Sequence, residues 1–167
     1  MIRITITANP TGSKALLYEF PKRKGRRKFV PTFAANVECS KTGRGFAFSV
    51  TRYSSTHVFG GMSDDRYGEH GECPPCKGTP YRGITREDGP VGFRIQLFEP
   101  GFAKSETLIG RGSVERRHVQ IHFGAAASHG CFLVAGRRRS YRKAFEAPLR
   151  DMLQHGDAIE VMVEDYA

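Results

Sequence analysis

The residues best suited to chemistry lie together shortly after the middle of the chain. His122, Ser128 and His129 all fall within the nine residues before Cys131. A free thiol has a pKa of about 8.5, so little thiolate exists at neutral pH unless a base or a positive field assists. A nearby imidazole supplies that base and can later protonate a leaving amine. The pattern predicts a nucleophilic cysteine, and a structural cysteine is the alternative because free cysteines are often buried.

Small residues surround the cysteine and favour a tight, accessible loop. Gly130 leaves room for an approaching carbonyl group, and the amides near Cys131 are then candidates to bind the oxyanion. Alanines occupy positions 125–127 and allow a sharp turn. We therefore expect His122 and Cys131 on neighbouring strands, with imidazole nitrogen and thiol sulfur within about 4 Å.

Alternating apolar and polar residues predict the strands that position this stretch. Val119, Ile121 and Phe123 share one face of a strand, while Gln120 and His122 share the other. An apolar run at 131–134 predicts the neighbouring strand. The same alternation, in places weaker, predicts further strands over 2–7, 15–20, 29–39, 45–53, 91–99 and 157–163.

One helical pattern lies near the C-terminal side. Apolar residues recur at spacings of three and four from Tyr141 to Leu153. Ser140 is the expected N-cap, Gly156 the expected end, and Pro148 the expected kink. With the strands, this pattern predicts a mostly β, β-rich α+β domain with a single substantial helix.

The length of 167 residues suits one domain covering residues 1–167. Within it, residues 1–53 are expected to form N-terminal strands. Residues 54–90 are rich in Gly, Pro, Asp and Ser and predict a long loop or cap region, and residues 91–167 form the half that carries the cysteine. No apolar run approaches the roughly 20 residues of a membrane span, so membrane insertion is not expected.

A second group of candidate ligands lies in the predicted loop. Cys73 and Cys76 form a Cys-x-x-Cys pair, with His70 three residues before it. Zinc, a disulfide and plain loop cysteines are the alternatives. A closed zinc site needs four ligands, which Cys39 or His57 could complete only if the fold brought them close. We expect no metal and no cofactor.

The formal net charge of +9 is concentrated in two runs. One lies at 22–28 and the other at 137–143. Such runs attract polyanions, which include nucleic acid, acidic lipid and anionic cell wall, whereas a solvated loop and a helix start are the alternative. No aromatic residue interrupts the run at 22–28, so it offers no platform on which bases could stack, and this argues against binding of single-stranded nucleic acid.

The order of the chemical residues resembles a known signature. His122, followed by Ser128-His129-Gly130-Cys131, resembles the catalytic motif of the L,D-transpeptidase (YkuD-like) family. Shorter resemblances to strands of that family occur at 89–95 and 156–161. The His-to-Cys spacing is shorter than in the secreted housekeeping members, and the Arg or Asn that often follows the cysteine is absent. The compact chain is similar to the members delivered by type VI secretion.

The resemblance implies a β-sandwich or barrel domain and a role for each motif residue. Cys131 would be the nucleophile and His122 its general base. His129 and Ser128 would orient the loop or support the base, and Gly130 would complete the catalytic motif.

Three more residues are assigned to the substrate side of the same motif. These are His118, Gln120 and Gly124. His118 precedes His122 by four residues, which puts it on the same face of a continuous strand and makes it a weaker candidate for the base.

The resemblance also implies the substrate, which is the stem peptide of peptidoglycan. Cys131 would attack the carbonyl that joins the third residue to the terminal D-amino acid and would form a thioester. An amine of another stem, a free D-amino acid or water would resolve it, giving transpeptidation, exchange or carboxypeptidation.

The implied substrate lies outside the cytoplasm, whereas the first seven residues predict a strand and no signal sequence. We therefore expect synthesis in the cytoplasm, delivery by a secretion apparatus and action as an antibacterial effector in the periplasm of a target cell. Expected partners are stem peptides, a component of that apparatus and an acidic immunity protein. The alternative function is a basic, non-catalytic module that binds a polyanion or nucleic acid.

Overall fold

The described residues form ten strands and one continuous helical region in this computed structural model. It describes residues 1–17, 28–54, 66–68, 70–102, 107–111, 115–124, 128–134, 136–154 and 157–166. The strands are β1 (Ile2–Leu17), β2 (Lys28–Cys39), β3 (Gly45–Val50), β4 (Tyr81–Arg86), β5 (Arg94–Phe98), β6 (Thr107–Leu108), β7 (Arg116–Arg117), β8 (Gln120–Phe123), β9 (Phe132–Val134) and β10 (Ile159–Val163).

Eight strands form one sheet, in the order β3-β2-β1-β10-β4-β5-β8-β9, and β6 pairs with β7 separately. The sheet is mostly antiparallel, but β1 pairs with β10 and β8 pairs with β9 in parallel. The prediction of a mostly β, β-rich α+β fold is confirmed.

The two ends of the sheet approach each other and nearly close it into a barrel. Thr51, just after β3, forms an antiparallel bridge with Leu133 of β9. The Thr51 amide donates to the Leu133 carbonyl at 2.9 Å, and the reciprocal bond is 3.3 Å long. Because β9 directly follows Cys131, this closure fixes the segment that carries the cysteine.

The alternating residues point into one main core. Ile2, Ile4 and Ile6 of β1 are fully buried, as their spacing of two predicts. Side chains from the other strands and the helix join them, including Phe33, Val37, Phe48, Ile95, Leu97, Ile121, Phe132, Phe145 and Val161.

The helical region is continuous but changes geometry along its length. An α-helical turn, α1 (Arg138–Tyr141), leads into a π-helical segment (Arg142–Glu146) and then α2 (Ala147–Leu153). Pro148 lies in the first turn of α2, just after the change from π-helical to α-helical geometry, and the helix continues through it, so the expected split at Pro148 is not seen. The expected N-cap is wrong, because Ser140 lies inside α1 and Arg137 occupies the cap position.

The region 54–90 is not the continuous loop that its composition predicts. Strand β4 lies within it and pairs with both β10 and β5 in the middle of the sheet. Gly83 is needed there, since a Cβ on this residue would lie 2.9 Å from side-chain atoms of Ile159 and Ile95. Within the described residues, no helix has the length and apolar character to cross a membrane.

Candidate active site

A row of polar side chains crosses three neighbouring strands on the face opposite the main core. In β5 and β8, Gln96 pairs with Gln120, on the face that Arg94 and His122 share. Their strand neighbours Ile95 and Ile121 point into the core. Cys131 directly precedes the parallel partner of Ile121, so it lies beside Gln120 and faces the same side as His122. The strands thus bring the predicted nucleophile and base to one surface.

The thiol of Cys131 is half-buried and protonated at neutral pH. Its Sγ donates a hydrogen bond to the backbone carbonyl of His118 at 3.3 Å. Burial raises the pKa of the Cys131 thiol to about 11, although a backbone hydrogen bond of Gln120 and the positive charge of Arg116 act in the opposite direction. A thiol in this state needs a base before it can attack a carbonyl.

The imidazole of His122 has the form that such a base requires. Burial lowers the pKa of His122, and the nearby Arg94 charge lowers it further, although a hydrogen bond to the Phe123 backbone opposes them. The ring is therefore neutral at neutral pH. Nδ1 lies 2.7 Å from the Phe123 carbonyl. A carbonyl oxygen only accepts, so Nδ1 carries the proton and Nε2 has a free lone pair.

His122 and Cys131 are diagonal neighbours on adjacent strands. Cys131 lies beside Gln120, and His122 is two residues further along β8, or about 7 Å. Long and aromatic side chains can bridge such a diagonal. The expected hydrogen bond between the two groups is absent among the described residues, where the thiol bonds to His118 and the imidazole to Phe123. Direct proton transfer therefore requires rotation of these side chains.

The loop before Cys131 is held in a defined conformation. Ser128 Oγ donates to the Cys131 carbonyl at 2.8 Å, and Ser128 also forms a parallel bridge with Ser54. Gly130 has a φ of +112°, which favours glycine. Ser128 thus contacts the backbone of Cys131, and its part in orienting the loop or supporting the base stays a prediction. The alanines at 125–127 lie outside the described residues.

A buried arginine, which the sequence did not indicate as a site residue, binds the backbone of this loop. Arg116 is 3% exposed, and its guanidinium donates to the carbonyls of Glu72 at 2.8 Å and Gly71 at 2.9 Å. It also donates to the carbonyl of His129. A Cβ on Gly130 would lie 2.6 Å from Arg116 Nη2, so this position admits only glycine without rearrangement. The sequence does not indicate a structural role for either of the adjacent arginines 116 and 117, because that role depends on which one the tertiary structure buries.

The segment that receives Arg116 is itself anchored to the C-terminal residues. The Glu72 carboxylate accepts hydrogen bonds from Arg66 at 3.1 Å and from the Tyr166 hydroxyl at 2.5 Å. The Arg66 guanidinium also lies 3.7 Å from the centroid of the Tyr166 ring. Residues 71 and 72, which lie in the predicted loop, are therefore fixed parts of the site.

The three residues assigned to substrate binding occupy different positions. Gln120 lies on the polar face, where its side-chain amide donates to Gln96 Oε1 at 2.7 Å. Gly124 follows β8 beside the His122 ring, which would lie 3.5 Å from a Cβ at that position. His118 has a φ of 58° and precedes β8, so the expectation that it shares a strand face with His122 is wrong. Its backbone carbonyl contacts the thiol.

The Cys-x-x-Cys pair belongs to the core. Cys73 and Cys76 are both buried free thiols, so the disulfide alternative is wrong. Cys76 Sγ donates to the Val161 carbonyl at 3.6 Å and accepts from the Val163 amide at 3.4 Å, which ties this segment to β10. Among the described residues, no group of three or more His, Cys, Asp or Glu side chains is arranged to hold a metal ion. His57 lies outside them.

The second basic run is an exposed surface at the start of the helix. We call it the cationic helix start, and it consists of Arg137, Arg138, Arg139, Arg142 and Lys143. None of these residues forms an ion pair with another described residue. Arg138 lies 5.0 Å from the centroid of the Phe123 ring, which places this surface near β8. Most of the first run, at 22–27, lies outside the described residues.

Comparison of the chain with protein-family models, curated proteins and solved structures finds no match. The resemblance to L,D-transpeptidases therefore stays a prediction that rests on the motif between His122 and Cys131.

Proposed function

We propose that this protein is a cysteine acyltransferase or carboxypeptidase that acts on the stem peptides of peptidoglycan. The observation that carries the proposal is that His122 and Cys131 share one face of adjacent parallel strands. The His122 tautomer adds support, because the Phe123 carbonyl holds the Nδ1 proton and leaves Nε2 as a proton acceptor. The motif's resemblance to L,D-transpeptidases supplies the substrate class.

In the proposed reaction, His122 Nε2 accepts the Cys131 proton as Sγ attacks the peptide carbonyl. The tetrahedral intermediate collapses, the C–N bond breaks, and the imidazolium gives its proton to the departing amine of the terminal D-amino acid. A thioester on Cys131 remains. An incoming amine or water then loses a proton to the neutral imidazole and attacks the thioester, the C–S bond breaks, and the imidazolium returns that proton to the departing thiolate.

The raised pKa of Cys131 gives this mechanism a specific form. A thiol with a pKa of about 11 is not a standing thiolate, so deprotonation occurs with the imidazole's help during the attack. This state also protects the resting protein from adventitious alkylation and oxidation, since both reactions need thiolate.

Mass spectrometry of purified tetrapeptide stems tests the proposal directly. Incubation with the wild-type protein should give tripeptide, exchanged or cross-linked products, and Cys131→Ala should give none. Cys39→Ala is the matched control, since Cys39 is a buried thiol whose contact is with Asp157. Equal turnover by Cys131→Ala and the wild-type protein would refute the proposed cysteine-dependent activity.

A non-catalytic polyanion-binding module is the second candidate, and the cationic helix start favours it. Five exposed cations in seven residues provide the electrostatic footprint for an anionic polymer. This candidate predicts tight, salt-sensitive binding to heparin that Cys131→Ala does not change and that neutral substitutions of Arg137 and Arg139 weaken. If the protein is the proposed enzyme, Cys131→Ala should abolish turnover of stem peptides, whereas neutral substitutions of Arg137 and Arg139 should leave it unchanged.

The proposed substrate also defines where the protein would act and which partners it would meet. Stem peptides lie outside the cytoplasm, so we place the activity in the periplasm of a target cell after delivery by a secretion apparatus. A producer with the same wall needs an immunity protein. The net charge of +9 suits an acidic one, because complementary charge speeds association.

A further inference from the structure

A cleft of about 360 Å³ opens beside the loop that precedes Cys131. Its lining is His70, Glu115, Arg116, Arg117 and His129. The rings of His70 and His129 lie 4.9 Å apart with a tilt of 60°, so two imidazoles share one wall. Only His129 of these five belongs to the motif of the candidate active site, and His70 is the residue that the sequence offered as a possible metal ligand.

The cleft is suited to an anion. Two guanidinium groups and two imidazoles line it, against a single carboxylate. That carboxylate, on Glu115, accepts bonds of 3.2 and 3.3 Å from Arg117. Both partners are exposed, at 67% for Arg117 and 58% for Glu115, so solvent screens this pair and an incoming anion can compete for the guanidinium. Arg116 is buried and contributes fixed positive charge.

Two residues that line the cleft lie within two positions, along the chain, of the groups that hold the thiol. On one side, His129 lines the cleft and Cys131 follows it by two residues. On the other, Arg117 lines the cleft and the next residue, His118, accepts the thiol hydrogen bond through its carbonyl. The cleft is therefore built from the same two segments that carry Cys131 and its hydrogen-bond acceptor.

We propose that this cleft is a subsite for the terminal carboxylate of the acyl-donor peptide. The inference rests on the proposed function for its choice of ligand. In that reaction the attacked carbonyl belongs to the residue before the terminal one, so carboxylate and scissile carbonyl are separated by about one residue, or roughly 3.8 Å. Holding the carboxylate by Arg117, His70 and His129 would place that carbonyl at Cys131 and restrict cleavage to the last peptide bond.

Charge selection in thiol alkylation tests the subsite without assuming any peptide activity. Iodoacetate and iodoacetamide have similar size, and both form the Sγ–CH₂ bond as the C–I bond breaks and iodide leaves. The ratio of their rates at Cys131, located by peptide mass mapping, reports attraction of the carboxylate. The effect of any change in the thiol pKa cancels in this ratio, because the same thiolate attacks both reagents.

We expect the iodoacetate-to-iodoacetamide ratio to fall about fivefold to tenfold in Arg117→Gln and to fall also in His70→Gln. Arg3→Gln is the matched control. Arg3 is likewise an exposed arginine paired with a glutamate, Glu160, and three strands separate β1 from β8 in the sheet. Its ratio should equal that of the wild type. Equal loss in Arg3→Gln, or no loss in Arg117→Gln, would overturn the subsite.

Protection experiments then test the ligand assignment. A stem tetrapeptide with a free terminal carboxylate should protect Cys131 from iodoacetamide in the wild-type protein, at concentrations where its C-terminal amide does not. Equal protection by both peptides, or protection by neither, would overturn the assignment of a peptide carboxylate to the cleft. Iodoacetate selection together with no turnover of stem peptides would refute the proposed function and leave an anion subsite beside Cys131.

Discussion

The buried guanidinium of Arg116 donates a hydrogen bond to the backbone carbonyl of His129, two residues before the candidate nucleophile. The same guanidinium binds the carbonyls of Gly71 and Glu72. One side chain therefore joins the segment at 71–72 to the loop that ends at Cys131. This relationship makes the position of the cysteine depend on a residue outside the catalytic motif.

Replacing Arg116 should loosen the loop and destabilise the fold. Arg116→Met leaves buried carbonyl groups without their donor, and we expect a loss of about 2–4 kcal/mol in the free energy of unfolding. Urea denaturation measures this change. Arg111→Met is the control, since Arg111 is an exposed residue paired with Asp165, and its loss should be within about 0.5 kcal/mol. Similar values for the two variants would contradict the role of Arg116.

Gly130→Ala should disturb the same loop for a steric reason. The new Cβ would lie 2.6 Å from Arg116 Nη2, and alanine disfavours a φ of +112°. We expect destabilisation of about 1–3 kcal/mol and loss of turnover. Gly89→Ala separates the two effects, because Gly89 also has a positive φ but has open space around its Cβ position. A larger destabilisation by Gly130→Ala than by Gly89→Ala would assign the excess to the Arg116 contact, and equal values would contradict it.

The pH profile should identify His122 as the base. Its pKa lies below the usual value of about 6.5, so the neutral, proton-accepting form persists below that pH. The midpoint of the acidic limb in the pH profile of kcat/KM should therefore lie below pH 6.5. His122→Gln should reduce turnover by about 10²–10⁴ and remove that limb. His118→Ala should be mild, since a backbone carbonyl at this position makes the thiol contact. A severe His118→Ala and a mild His122→Gln would reverse the assignment.

Asp157 should contribute to stability in a defined pH range. Hydrogen bonds from the Met1 amine and Lys41 lower the pKa of its carboxyl group to about 2, from about 3.8 in the unfolded chain. The ionised form is favoured in the folded state, so this contribution is present above pH 4 and is lost as the pH falls through 2. Asp157→Asn should be less stable than wild type at pH 6, and the difference should disappear near pH 2. Denaturation at both values checks this, and a difference that grows in acid would contradict it.

Growth effects should depend on the compartment. If the substrate is peptidoglycan stem peptide, expression in a bacterium should arrest growth only when a signal peptide is attached. The arrest should vanish with Cys131→Ala, and stem peptides from the affected cells should be altered. Equal toxicity of the form confined to the cytoplasm would favour the polyanion-binding alternative.

Local patterns in the sequence were sufficient for much of the fold. Period-two alternation marked β1, β3, β8 and β10, because a half-buried strand must place apolar side chains on one face. The spacing of Tyr141, Phe145 and Leu149 marked the helix, and all three are buried. Strand β4 was missed because it lies in a polar, glycine-rich region and its pairing with β5 and β10 comes from distant parts of the chain.

The sequence by itself determined the type and order of the chemical residues, since His122, Ser128, His129 and Cys131 are close along the chain. Only the tertiary structure decided which charges surround them. Of two adjacent arginines, Arg116 is buried under the loop and Arg117 is exposed in the cleft, and His70 is brought against His129 from 59 residues earlier in the chain. Local patterns cannot specify such contacts, because burial of a charge depends on carbonyl partners that distant segments supply.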